Sequence, residues 1–180
     1  MQIYLFLAEG FEEIEAIAPI DVFRRAGFNV TTVSITNDLK VVGAHGIAVM
    51  ADSRFSEVDF KGDFLIYLPG GMPGTANLDN HAGLKELLMK QASKGEKIAA
   101  ICAAPSILGK MGLLKQKEAI CYPGFEHFLK DARLSSSKIV KANNIFTAKG
   151  PGVSVLFALR IVEELKGKQL ADHVAQAMML

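Results

Sequence analysis

Three short apolar runs, Gln2–Ala8, Phe64–Leu68 and Ile98–Ile101, constrain this chain more than any other feature. A strand with one face in water alternates apolar and polar residues. A strand that stays apolar throughout is covered on both faces, as in a parallel sheet held between helical layers. Elsewhere the pattern turns helical: Glu13–Ala26, ending before Gly27, then His81–Lys94, the stretch from Pro105 to Met111, Val153–Leu165 and Gln169–Met178. Further strands are expected at Asn29–Ser34, Ala119–Tyr122 and Ile145–Thr147. Lys40–Gly43 and Ile47–Met50 should form a small hairpin around the Gly43–Gly46 turn. The chain from Pro69 to Asn77 reads as loop, and Phe125–Leu129 as a short helix. Strands alternating with helices give an α/β fold with a mostly parallel sheet and helices on both faces. Without an internal repeat or a linker, residues 1–180 are expected to be a single domain.

Composition narrows the function classes. A chain of 180 residues, half of them hydrophobic, is long enough to bury roughly 70% of its unfolded surface. A formal net charge of +1 gives no electrostatic case for nucleic acid or an anionic membrane. No apolar run approaches the ~20 residues of a membrane span. The start, Met1-Gln2-Ile3, has no basic region of a secretory signal. Two cysteines, Cys102 and Cys121, make no disulfide framework, and no Cys/His spacing resembles a zinc site. The expectation is a soluble, cytoplasmic protein with no metal and no cofactor.

Ligands of such sheets sit beyond the carboxyl ends of the strands. Four segments fall there: Glu9–Glu15, Gly70-Gly71, Cys102 and Gly150-Pro151-Gly152. Cys102 lies on the hinge between a strand and a helix whose first turn accommodates Pro105. Amide groups and the helix dipole at that point favour a thiolate. The alternative is an inert core cysteine. Glu15 shares a helical face with Phe11, Ala18, Pro19, Val22 and Ala26, while Glu13 points away. A carboxyl on that small apolar face should hold its proton more tightly than usual. The alternative is a solvated first-turn acid serving the helix dipole.

A thiolate beside a neutral carboxylic acid is a nucleophile with its own proton shuttle. The amides of Gly70, Gly71 and Ala103 can form an oxyanion hole, or the glycines can simply make a tight turn. The histidines, His45, His81, His127 and His173, read as surface residues. Asp21 is spaced for helix-surface pairs with Arg24 or Arg25. Ile14, Ile17 and Ile20 lie off the core face of the first helix and suggest a subunit interface, by default a twofold dimer.

Five motifs occur in order: Gly10-Phe11-Glu12-Glu13-Ile14-Glu15, Pro19–Gly27, Leu68-Pro69-Gly70-Gly71, Ala99–Pro105 around Cys102, and Gly150-Pro151-Gly152. As a set they resemble the ThiJ/PfpI superfamily over nearly the whole chain, within it the branch of the parkinsonism-associated deglycase and its bacterial relatives. The resemblance implies a flavodoxin-like (class I glutaminase-like) three-layer sandwich and a homodimer. It implies an oxidisable nucleophile, Cys102, at a strained elbow, with Glu15 as its protonated partner. It implies backbone donors at Gly71 and Ala103, and a substrate pocket involving Phe11, Tyr122 and Pro151.

Two departures matter. Ala103 stands where protease-type members carry His, which argues against a peptidase. Tyr122 stands where the animal deglycase has a His. A lesser change is His45 in place of an Arg near the dimer interface. The implied activity is cofactor-independent conversion of methylglyoxal, glyoxal or their early protein and nucleotide adducts. The alternative is a redox-stress sensor or holdase with Cys102 oxidised to sulfinate. The family's association with thiamine biosynthesis finds no supporting residue here, and the Cys–His–Glu set of an amidotransferase is absent.

Overall fold

The computed structural model describes residues 1–180. Its seven-stranded sheet runs β10 (Ile139–Ala142), β11 (Ile145–Ala148), β7 (Ile98–Ile101), β6 (Phe64–Leu68), β1 (Gln2–Leu7), β2 (Asn29–Ser34), β5 (Ser53–Arg54). All neighbours are parallel except β10 with β11. The apolar runs occupy the middle of the sheet because both of their faces are covered. Ile3, Leu5, Leu7, Leu65 and Tyr67 face one core, built with α1 (Glu13–Arg25), α5 (Ser154–Lys166) and α6 (Lys168–Ala177). Phe6, Ala8, Ile66 and Leu68 face a second core, built with α2 (Gly74–Asn80), α3 (Ala82–Ser93) and α4 (Pro105–Lys110). The result is a three-layer sandwich of the flavodoxin-like type.

Several expected elements change. Ala119–Tyr122 is not a strand of the main sheet. Only Glu118–Ala119 (β8) is extended, and it pairs with Arg133–Leu134 (β9) in a separate ribbon. The segment read as loop after Met72 forms α2, ending at His81, whose Nδ1 accepts from the Leu84 amide and caps α3. The edge strand β5 is two polar residues, Ser53–Arg54, and β10 is a four-residue run broken by Lys141, so neither shows as a buried run. The hairpin β3 (Lys40–Val42) with β4 (Ala48–Met50) stands outside the main sheet, as expected. Ile14 and Ile17 are 55% and 42% exposed, but Ile20 is buried, so the second apolar side of α1 is shorter than its spacing suggests.

Chain direction fixes the crevice. The chain leaves β1 toward β2 on one side, while β6 lies on the other. In open α/β sheets such a switch point, at the carboxyl ends of the strands, opens a crevice. Gly70-Gly71 follows β6, Cys102 follows β7, and the loop into α1 follows β1.

Candidate active site

Cys102 is the residue immediately after β7, and its φ of 63° lies in the left-handed region. A non-glycine residue held there costs of order 1–3 kcal/mol and persists only where its surroundings fix it. Here both of its backbone groups are tied. Its N–H donates to the Ala148 carbonyl at 2.9 Å, and its carbonyl accepts from the Tyr122 N–H at 2.7 Å. Pro105 opens α4 two residues beyond Ala103, fitting the first turn without losing a helical hydrogen bond.

Glu15 is fully buried on α1. Its Oε2 accepts from the Gly70 N–H at 2.8 Å. Its Oε1 has no nitrogen or oxygen partner and is sealed from solvent. The Cys102 side chain lies beside the same carboxyl, and each group shifts the other's proton affinity. Pro19 lies one helical turn on and has no N–H to offer the Glu15 carbonyl, which loosens the helix at that turn. Gly70 is what lets the two groups meet. A Cβ at that position would lie 2.7 Å from both the Cys102 Cβ and Glu15 Oε2. Gly71 is left-handed as well, with φ +90°, and a Cβ there would run into the Glu12 amide nitrogen.

Burial pushes the Glu15 carboxyl up to about 7, against the opposing pull of the Cys102 and Gly70 hydrogen bonds. Burial, and then the Glu15 carboxylate, push the Cys102 thiol well above its ordinary value. The amides of Ala103 and Gly71 pull it down by less. The simple expectation of a thiolate made by the helix start is therefore corrected: α4 is short, and desolvation outweighs it. Two groups in contact titrate as one system. Near neutrality the pair passes from two shared protons to one. When that remaining proton sits on Glu15, the repulsion that disfavours the thiolate is removed.

The oxyanion donors are narrower than the sequence suggested. Gly70 gives its N–H to Glu15, whereas the Gly71 and Ala103 amides are the ones that favour charge on the sulfur. Phe11 has no exposed surface and packs in the core, so it backs the site rather than lining a pocket. Tyr122, 45% exposed, and Pro151 do line a cavity beside the elbow.

Four other residues around the site were not legible in the sequence: Glu13, Tyr67, Lys138 and Lys149. Glu13 does not point away. It is buried, with Oε1 accepting from the His45 amide at 2.8 Å and Oε2 2.8 Å from His45 Nδ1. The β3–β4 hairpin folds over that face, which the period of α1 alone cannot reveal. Burial would raise the Glu13 carboxyl, but these bonds lower it on balance, and the bond to Glu13 raises His45. Glu12, Glu13 and His45 have the spacing of metal ligands, yet the Glu13 oxygens are already engaged by His45, and the group acts as a clasp on the hairpin. Tyr67, on β6, is fully buried with an unpartnered hydroxyl raised well above its ordinary value by burial and by Glu15. Lys138 and Lys149 flank the Tyr122 cavity. No helix is long and apolar enough to cross a membrane.

The arrangement has clear relatives. Residues 1–164 match the profile of the DJ-1/PfpI family. The chain is 39% identical over 177 residues to protein DJ-1 homolog A of Arabidopsis thaliana, covering 97% of this chain and 45% of that protein. It thus spans less than half the length of that curated relative. It is 31% identical over 173 residues to the glutathione-independent glyoxalase DJR-1.2 of Caenorhabditis elegans, covering 96% of this chain and 92% of that one. Among solved structures, oxidised DJ-1 of Toxoplasma gondii matches with a TM-score of 0.94 at 34% identity, covering 99% of this chain and 97% of the other. Sequence, fold and elbow agree: this chain belongs to the DJ-1/PfpI family.

Proposed function

We propose that this protein converts methylglyoxal, glyoxal or their early adducts to hydroxy acids without a cofactor. The observation that carries the reading is Cys102 in a left-handed elbow with the buried Glu15 carboxyl against its thiol. Cys102 Sγ bonds to the aldehyde carbon, and the new oxyanion, held by the Gly71 and Ala103 amides, takes the proton of Glu15. This hemithioacetal carries a C–H next to a ketone. The Glu15 carboxylate removes that proton to give an enediol, and returns it to the neighbouring carbon. The aldehyde carbon is thereby oxidised to a thioester as the ketone carbon is reduced to an alcohol. Water then cleaves the thioester, releasing lactate and restoring the thiol. No external oxidant or reductant enters. The similarity to a worm protein named a glutathione-independent glyoxalase supports this reading. Lactate formation from methylglyoxal without glutathione tests it. Activity is expected in the wild type and lost in Cys102→Ser; equal rates would overturn it.

A second reading is favoured by the likeness to a relative solved in an oxidised form. Peroxide converts Cys102 to a sulfinate that accepts a hydrogen bond from protonated Glu15. Intact mass after mild peroxide should show two oxygens added at Cys102 and none at Cys121. The exposed Ile14 and Ile17 of α1 are the face on which a twofold homodimer would close.

A further inference from the structure

Lys138 and Lys149 are neighbours across the start of the β10–β11 hairpin. Ile139 pairs with Ala148, and the next link is the Lys149 N–H to the Lys138 carbonyl at 2.9 Å. Like charges placed opposite one another across a strand pair are destabilising. Both side chains are exposed, so solvent screens part of this repulsion and an anion between them would remove more of it. Neither ammonium has a carboxylate partner, whereas Lys141, on β10, is paired with Glu164. Both lysines line a cavity of about 320 Å³ with Tyr122, Pro123 and the Gly150–Val153 turn. No acidic residue lines it. That turn leads into α5, thirteen residues long, so the positive end of its dipole faces the same space. The volume is at the small end of ligand sites, about 300–1,000 Å³. Cys102 does not itself line the cavity; the link to the elbow is Tyr122, which lines the cavity and donates its backbone N–H to the Cys102 carbonyl.

We propose that this cavity is an anion subsite, where Lys138 and Lys149 hold a carboxylate or phosphate group borne by the carbonyl substrate while its aldehyde reaches Cys102. The assignment rests on the reading of Cys102 as a carbonyl-attacking group. Methylglyoxal, with no anionic end, leaves the subsite unused. An oxoaldehyde with a charged tail fills it and relieves the lysine pair.

The test compares 4,5-dioxopentanoate with its methyl ester, two oxoaldehydes that differ by one charge. The wild type should favour the acid by about tenfold in kcat/KM, and added salt should erode the preference. In the double variant Lys138→Met with Lys149→Met the ratio should fall to near one, and Lys138→Arg with Lys149→Arg should restore it. A wild-type ratio near one, or a ratio that survives in the methionine variant, overturns the proposal. Should the wild type turn over neither compound nor methylglyoxal, the carbonyl reading fails. The subsite is then judged by amide NMR titration. Inorganic phosphate and 4,5-dioxopentanoate, added separately, should give saturable shifts at Lys149, Gly150 and Gly152 that vanish in the methionine variant. A response to either identifies the anion held; no response to either overturns the proposal.

Discussion

Cys102 and Cys121 are both free and both buried, 8% and 1% exposed, and the residue after Cys121 donates its N–H to the carbonyl of Cys102. Burial alone would make them equivalent. Cys121 is the plain case: burial, with Glu126 adding to it, pushes its thiol up to about 12, and nothing nearby shares its proton. Cys102 is also pushed up, but it sits on a strained backbone, under two amides, against a carboxyl that itself holds a proton to about 7. The difference lies in the partners. A buried thiol becomes reactive where a neighbour can carry the proton it gives up and the backbone is fixed to receive the charge.

The largest expected break between the two sites is in turnover. Cys102→Ala should lower lactate production from methylglyoxal by about 10³-fold or more, whereas Cys121→Ala should stay within about twofold while losing some thermal stability. Next is the carboxyl. Glu15→Gln should cost about 10²- to 10⁴-fold, the usual worth of a positioned acid–base group. The wild-type kcat/KM should rise through about pH 7, where the pair loses its first proton, and the variant should lack that limb.

The same group makes a stability prediction. Unfolded Glu15 ionises near 4.5, and the folded carboxyl holds its proton to about 7. The unfolded state therefore binds fewer protons between those values, and wild-type stability should fall across that window by roughly 1–3 kcal/mol. In denaturant titrations at pH 4.5 and 7.5, Glu15→Gln should lose less stability over the interval.

Gly70→Ala should have a smaller effect. The added methyl lies against both the Cys102 Cβ and Glu15 Oε2. It should part the pair and cut kcat/KM by about 10- to 100-fold, at an overpacking cost of about 1–3 kcal/mol. Smallest is the backbone term. Cys102→Gly should be neutral or stabilising by about 1 kcal/mol, because glycine tolerates the left-handed conformation. Cys121→Gly should only destabilise. Equal losses in chemical denaturation would mean that the elbow is not strained.

Much of this contrast is legible in the sequence. The apolar runs Phe64–Leu68 and Ile98–Ile101 announce buried parallel strands, and their ends locate Gly70 and Cys102. The spacing of Glu15 with Pro19 and Val22 puts its carboxyl on the core face. The sequence is silent where a side chain's fate is decided by a distant segment. Glu13 is buried because a hairpin more than thirty residues on folds over it, and Gly70 serves Glu15 because β6 lies beside β1. Lys138 and Lys149 become neighbours only through the register in which β10, too short to be read from the sequence, pairs with β11. The suppressed thiolate is illegible for a related reason. A helix start can be read from Pro105, but the desolvation that outweighs it comes from the packed layers.

The most direct test of a shared proton is the pH dependence of Cys102 alkylation by iodoacetamide, in a Cys121→Ala background, with and without Glu15→Gln. The account predicts a rate that rises through about pH 7 when Glu15 is present and an inflection displaced upward when it is not. The same inflection in both proteins would contradict it.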